Sequence, residues 1–231
     1  MASTPHDPTL QLPRLLCLHG GGTNAVIFIM QCRALSLHLK PYFRLVFAEA
    51  PFECGPGPDV TSVYGDFGPF KRWLGWLPEH PVINARDEVI AIEKSIEKAM
   101  REDNAKGATG GGRQIREEGG RDLEGQDWKF AVLMAGRAPL ISLEKEQDRW
   151  GPVDENDVLT LPTLHVHGMK DPGLDYHKEL LNVWCDKGSA QLIEWNGNHR
   201  IPIKSADVEA VVTPMLALAK KLGVLTVDLR F

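Results

Sequence analysis

Apolar residues along this chain fall into two kinds of pattern. Short continuous runs occur at Arg14 to Leu18, Phe43 to Ala48, Lys129 to Ala135, Thr163 to His167 and Ala190 to Trp195. Each is bounded by glycine, proline or polar residues, as buried strands are. Between them the apolar positions recur at three- and four-residue spacing. Asn24 is placed to cap a helix that runs to about His38 through Ile27, Met30, Ala34 and Leu37, and Pro41 closes it. Asn84 to Asp103 repeats the pattern with Val89, Ile92, Ile96, Ala99 and Met100 on one face. Gly173 to Cys185 does so through Leu174, His177, Leu181 and Trp184, and Ser205 to Leu222 through Val208, Val211, Met215 and Leu218. Strands alternating with helices predict an α/β architecture, a mostly parallel sheet covered by helices on both faces. The pattern shows no internal repeat and reads as a single domain over residues 1–231.

Two stretches depart from it. Phe67 to Pro81 sets Phe67, Phe70, Trp73 and Trp76 among prolines and glycines, which predicts an irregular flap. Residues 104–127 contain seven glycines and only Ala105, Ala108, Ile115 and Leu123 as apolar residues. That segment has too little apolar surface to fold by itself, and disorder is the expectation.

Composition narrows the function classes. Of 231 residues 43% are hydrophobic, the mixture of a globular protein, and the formal charge of −5 leaves no basic face for a nucleic acid. No apolar run is long enough to span a membrane, and the polar stretch Met1 to Pro13 lacks the apolar segment of a secretory signal. Cys17, Cys32, Cys54 and Cys185 are scattered without a C-x-x-C pair. Free thiols in a reducing compartment are therefore expected, the cytoplasm first and the nucleus second.

In parallel sheets the ligand site lies beyond the carboxyl ends of the strands. The first strand ends at His19-Gly20-Gly21-Gly22, where glycines let the backbone turn hard and aim N–H groups into a cavity. A tight strand-to-helix turn would use the same residues. The strand at Thr163 is followed by Gly168-Met169-Lys170-Asp171-Pro172, and the last strand by Asn196-Gly197-Asn198-His199. An acid after a late strand and a histidine after the last one stand in the order of an α/β-hydrolase orienting acid and general base. Two other readings stay open. His165 and His167, two apart on one strand face, could join Asp171 and His199 around a metal. Alternatively Phe67, Phe70, Trp73 and Trp76 could line an acyl-binding cavity in a protein without catalysis.

The blocks Leu16 to Ala25, Gly65 to Phe70, Ala135 to Leu140, Leu164 to Pro172 and Glu194 to Pro202 resemble the FSH-type serine hydrolases, an α/β-hydrolase family abundant in fungi. The resemblance covers nearly all of the chain except about residues 107–127. It implies an esterase or acyl thioesterase, of the kind found beside polyketide synthases. Asp171 and His199 would be two triad members and Gly21 or Gly22 an oxyanion donor. The implied substrate is a small-molecule ester or an acyl thioester, free or on a carrier protein. No cofactor, metal, nucleic acid or membrane is implied.

The nucleophile is missing. A nucleophile elbow needs an apolar strand, G-x-S-x-G and a helix. None of Ser3, Ser36, Ser62, Ser95, Ser142, Ser189 and Ser205 lies between glycines at that spacing. Gly107-Ala108-Thr109-Gly110-Gly111 matches the spacing with threonine but follows a charged helix end. In the family, the Gly-Ala-Thr-Gly stretch leads into the elbow strand, whereas here Gly110 runs directly into Gly111-Gly112-Arg113-Gln114. Strand, turn and part of the helix, on the order of 20 residues, are thus absent between about Gly110 and Arg113. Their absence predicts two sheet halves with open edges. Three explanations fit: a splice-boundary error in the translated sequence, a homologue that lost its nucleophile and binds a ligand or partner, or an unrecognised nucleophile in the polar segment.

Overall fold

The computed structural model describes residues 8–108, 127–139 and 158–226. Its elements are β1 (Arg14–Leu18), α1 (Ala25–Gln31), α2 (Arg33–Leu39), β2 (Arg44–Ala48), β3 (Phe52–Cys54), α3 (Thr61–Tyr64), β4 (Phe70–Arg72) and α4 (Ala85–Ala108). They continue with β5 (Ala131–Met134), β6 (Thr163–Gly168), α5 (Leu174–Val183), β7 (Ala190–Trp195) and α6 (Ser205–Lys221). Parallel strands with covering helices make this an α/β protein. Among the described residues the chain packs as two compact units, one of 8–31 and 40–108, the other of 32–39, 127–139 and 158–226.

In the first unit β1 and β2 pair in parallel from Arg14↔Arg44 to Leu18↔Ala48. α1 and α4 pack on β2. Asn84 starts α4, its side chain accepting from the Arg86 N–H at 2.9 Å, and Val89, Ile92 and Ile96 face inward as their spacing predicts. Two buried ion pairs fix the helix. Arg44 at the head of β2 donates to both carboxylate oxygens of Asp103 at 2.6 and 2.7 Å, and Arg72 on β4 lies 3.4 Å from Glu88. The helix extends to Ala108, five residues past the expected end.

Two expectations need correction here. The helix expected from Asn24 to His38 is broken at Cys32 into α1 and α2, and nothing in the local sequence marks the break. The expected irregular flap holds a strand: Phe70–Arg72 pairs antiparallel with Phe52–Cys54, a partner too far away in sequence for local periodicity to show.

In the second unit β5, β6 and β7 form a parallel sheet, with Ala131↔Thr163 and Gly168↔Trp195 setting the two registers. β6 lies in the middle and every one of its residues is buried. α5 packs on β6, and its Leu180 joins Trp184, Cys185 and Ala138 in a buried cluster with Leu133 of β5 against it. α6 buries Val208, Val211, Met215, Leu216 and Ala219 and packs on α2 and β7. Each buried Val, Leu or Met side chain among them contributes about 1.5–3 kcal/mol, which ties α6 to the sheet. The strands thus form two parallel sheets instead of one, and β1, β2, β5 and β7 each have a single strand partner among the described residues. Residues 109–126 of the glycine-rich segment, Thr109 among them, and Ser142 lie outside the described residues.

The four cysteines are free thiols. Among the described residues no helix is long and apolar enough to cross a membrane.

Candidate active site

The second unit brings three polar side chains together at the carboxyl ends of its strands. Asp171 lies in the turn after β6, where its Oδ1 accepts the Gly173 N–H at 2.7 Å and starts α5. His199 lies in the loop after β7. That loop crosses the end of β6, with the Met169 N–H donating to Trp195 O at 2.9 Å and the Lys170 N–H to Gly197 O at 2.7 Å. The crossing is close: a Cβ at Gly168 would sit 2.5 Å from Asn198 O, so only glycine fits there. As a result His199 Nδ1 stands 2.8 Å from Asp171 Oδ2.

The two groups differ in exposure. The Asp171 side chain is 1% exposed and that of His199 61%. With Nδ1 turned to the carboxylate, the opposite side of the His199 ring is open to solvent. Burial alone would raise the Asp171 carboxyl, but the Gly173 N–H and hydrogen bonds from His177 and His199 outweigh it and hold the group below the usual carboxylate range. Asp171 is therefore an anion at neutral pH.

His177, on the buried face of α5, is the third member. Its Nε2 lies 3.0 Å from Asp171 Oδ2 and its Nδ1 2.7 Å from Gly136 O. The residue's inward position was legible from its helical spacing, but its proximity to Asp171 was not, because a turn of unknown geometry separates them.

The metal reading is redrawn by this arrangement. The atoms of Asp171, His177 and His199 lie within 4.8 Å of one another, a set of two imidazoles and a carboxylate able to hold a divalent ion. His165 and His167 are not in that set. Both are fully buried in β6, with His165 Nε2 3.1 Å from Thr163 Oγ1. Burial, and then the neighbouring His167, push His165 down to about 4, so it is a neutral core residue at pH 7.

The glycine loop belongs to the first unit and is built differently. Gly22 has φ of +75°, and a Cβ there would lie 2.3 Å from Gly57 N. The aromatic stretch wraps this loop. Lys71 N–H donates to Thr23 O at 2.6 Å, Trp73 Nε1–H to His19 O at 2.8 Å, and Asn24 Nδ2–H to Phe67 O at 2.7 Å. Asn24 also caps α1 as expected, accepting the Ile27 N–H at 2.9 Å. The Gly22 N–H is engaged with Lys71 O at 3.0 Å, whereas the Gly21 N–H has no hydrogen-bond partner among the described residues. His19 faces inward, its Nε2 3.0 Å from both the Ala50 N–H nitrogen and Glu49 Oε1 and its Nδ1 2.9 Å from Gly20 O.

Beside this loop a groove of about 550 Å³ runs between residues 53–58 and 76–81. Trp76 lies over Gly21 and lines it; Phe67, Phe70 and Trp73 do not. The Cys54 thiol in its wall is pushed up by burial, against the weaker lowering effects of the Gly22 N–H, Arg72 and Lys71, and is no ready nucleophile. Among the described residues no serine or cysteine hydrogen-bonds to His199.

An α/β sheet presenting a buried carboxylate bonded to an exposed imidazole after its last strand is the framework of an α/β hydrolase. The serine hydrolase (FSH1) family profile matches residues 9–211, and the chain belongs to that family. It is 44% identical to esterase citA of Monascus ruber over 250 positions, covering 94% of this chain and 96% of the relative. It is 47% identical to the probable esterase azaC of Aspergillus niger over 244 positions, 97% of this chain and 92% of the relative. Esterase pigG of Monascus ruber is 46% identical over 263 positions, 95% of this chain and 96% of the relative. Each alignment runs over more positions than the 231 residues of this chain, so each relative carries residues with no counterpart here.

Proposed function

We propose that this chain carries the base, the orienting acid and the oxyanion donor of an ester hydrolase, without the serine on which they act. The observation that carries the proposal is the 2.8 Å contact between His199 Nδ1 and Asp171 Oδ2, with the far side of the imidazole open. Kinship to the serine hydrolase family and to relatives named esterases supports the esterase class. The substrate is a small carboxylic ester or an acyl thioester, including one held on a carrier protein, and the groove beside Gly21 takes the acyl group.

In the complete enzyme His199 Nε2 removes the serine proton as Oγ attacks the acyl carbon. Asp171 keeps the hydrogen on Nδ1 and stabilises the imidazolium that forms. The Gly21 N–H receives the carbonyl oxygen as it becomes anionic, a contact stronger in the transition state than in the ground state. The imidazolium returns its proton to the departing alcohol or thiol, and water releases the acid in a second, mirrored step. No cofactor enters this sequence. Gly22 is not assigned an oxyanion role, because its N–H is already engaged with Lys71.

The segment lost is a strand, turn and helix near Gly110. Its loss agrees with alignments longer than the chain and with edge strands β1, β2, β5 and β7, any of which offers an open ladder to a further strand. Transcript sequencing across Gly110 is expected to show additional codons encoding Gly-x-Ser-x-Gly. A fluorophosphonate, which marks activated serines, should leave the present chain unlabelled and label a chain carrying the azaC segment there. His199→Ala should abolish that labelling. Labelling of the present chain at serine, or none in a folded restored chain, refutes the assignment. A transcript identical to this sequence favours the second reading, an acyl-binding homologue that uses the same groove without turnover.

A further inference from the structure

His177 takes no part in the reaction above, yet it sits on the carboxylate that the reaction needs. Its side chain is 2% exposed. Both ring nitrogens face oxygen acceptors, Nδ1 at 2.7 Å from Gly136 O and Nε2 at 3.0 Å from Asp171 Oδ2, so the ring bridges the loop after β5 and the carboxylate.

The anchor is firm on each side. Gly136 follows β5, and the Ala138 N–H donates to Tyr176 O at 3.2 Å, so the loop after β5 is stitched to α5 at two points around His177. The rings of His177 and His199 lie 27° from parallel with centroids 6.2 Å apart. Asp171 is thus held by three groups: the Gly173 N–H on Oδ1, and His177 and His199 together on Oδ2.

We propose that His177 is a positioning residue, an imidazole wedged between the Gly136 carbonyl and Asp171 that fixes the carboxylate for His199. Through it the loop after β5 sets the orientation of the acid. Without this clamp the carboxylate is free to rotate about its side-chain bonds, and His199 Nδ1 loses the acceptor that selects its tautomer. The inference rests on reading Asp171 and His199 as acid and base. Its test observes that pair directly and needs no nucleophile, so a chain that hydrolyses nothing still reports on it.

The test is long-range proton–nitrogen NMR on the full chain with nitrogen-15 label. In the neutral ring His199 should be held as the Nδ1–H tautomer. In His177→Phe the Nε2–H tautomer of His199 should rise at least about fivefold. In His177→Gln, whose amide N–H can still reach Asp171, the wild-type tautomer should persist. A merely structural role would alter the melting temperature of the Phe variant and leave the tautomer unchanged. A His199 tautomer indifferent to His177→Phe overturns the proposal. If the Phe variant does not fold, the same readout in His177→Leu decides it.

Discussion

The loop after β1 and the loops after β6 and β7 occupy equivalent ends of their sheets and are built from opposite materials. The first is a backbone device. Gly22 at positive φ, Gly57 against it and the Lys71 and Thr23 peptide groups hold its shape, while the indoles of Trp73 and Trp76 cover it. The second is a side-chain device, in which Asp171, His177 and His199 converge and the backbone only delivers them. A backbone device fails when volume is added. A side-chain device fails when a charge or a hydrogen-bonding atom is lost, even with the volume kept.

That contrast is open to attack. The largest effect belongs to Asp171→Asn in a chain with the serine segment restored. The amide keeps the shape but favours the wrong His199 tautomer, and kcat should fall about 10⁴-fold with the melting temperature little changed. Near-normal turnover would remove Asp171 from the reaction. Gly22→Ala probes the other loop. A strained φ alone costs about 1–3 kcal/mol, and the approach to Gly57 adds to it, so urea unfolding should show a loss of roughly 3 kcal/mol. The His199–Asp171 signals should stay unaltered wherever the variant remains folded. An alanine there that unfolds at the wild-type urea concentration would mean the loop is not held as described.

The smallest effect is one of pH. His165 is pushed down from 6.5 to about 4 by burial and then by His167, so the unfolded chain takes up a proton across that window and the folded chain does not. Stability is therefore full above about pH 6.5 and declines as pH falls toward 4. Asp171, held below its ordinary value of 3.8, adds a further loss only under more acid conditions, as its carboxylate is protonated. Melting temperatures should drop by a few degrees between pH 6.5 and 4, and His165→Asn should flatten part of that slope. A variant with an undiminished slope would show that other groups carry it.

Much of the scaffold was readable from local pattern. Arg14–Leu18 and Ala190–Trp195 are strands at their expected bounds, and Asn24 and Asn84 cap the helices they precede. These features depend on neighbours within a few residues, which sequence displays. The pairing of Phe70–Arg72 with Phe52–Cys54, the Arg44–Asp103 ion pair and the break at Cys32 depend on partners far along the chain or on packing, and no local signal announced them. Asp171 and His199 stood out as a candidate pair because chain order and strand ends are preserved in sequence, and the structure places them 2.8 Å apart. His177 was visible only as an inward-facing helix residue.

Sequence alone determined the order of strands and helices, the places of Asp171 and His199 beyond the strand ends, and the absence of any Gly-x-Ser-x-Gly, since each is written in residue type and short-range spacing. Tertiary structure decided that the carboxylate is shared by two imidazoles, that the Gly22 N–H is already spent, and that β3 and β4 pair in a sheet of their own. Those outcomes turn on distances of about 3 Å between groups remote along the chain. Only folding sets such distances.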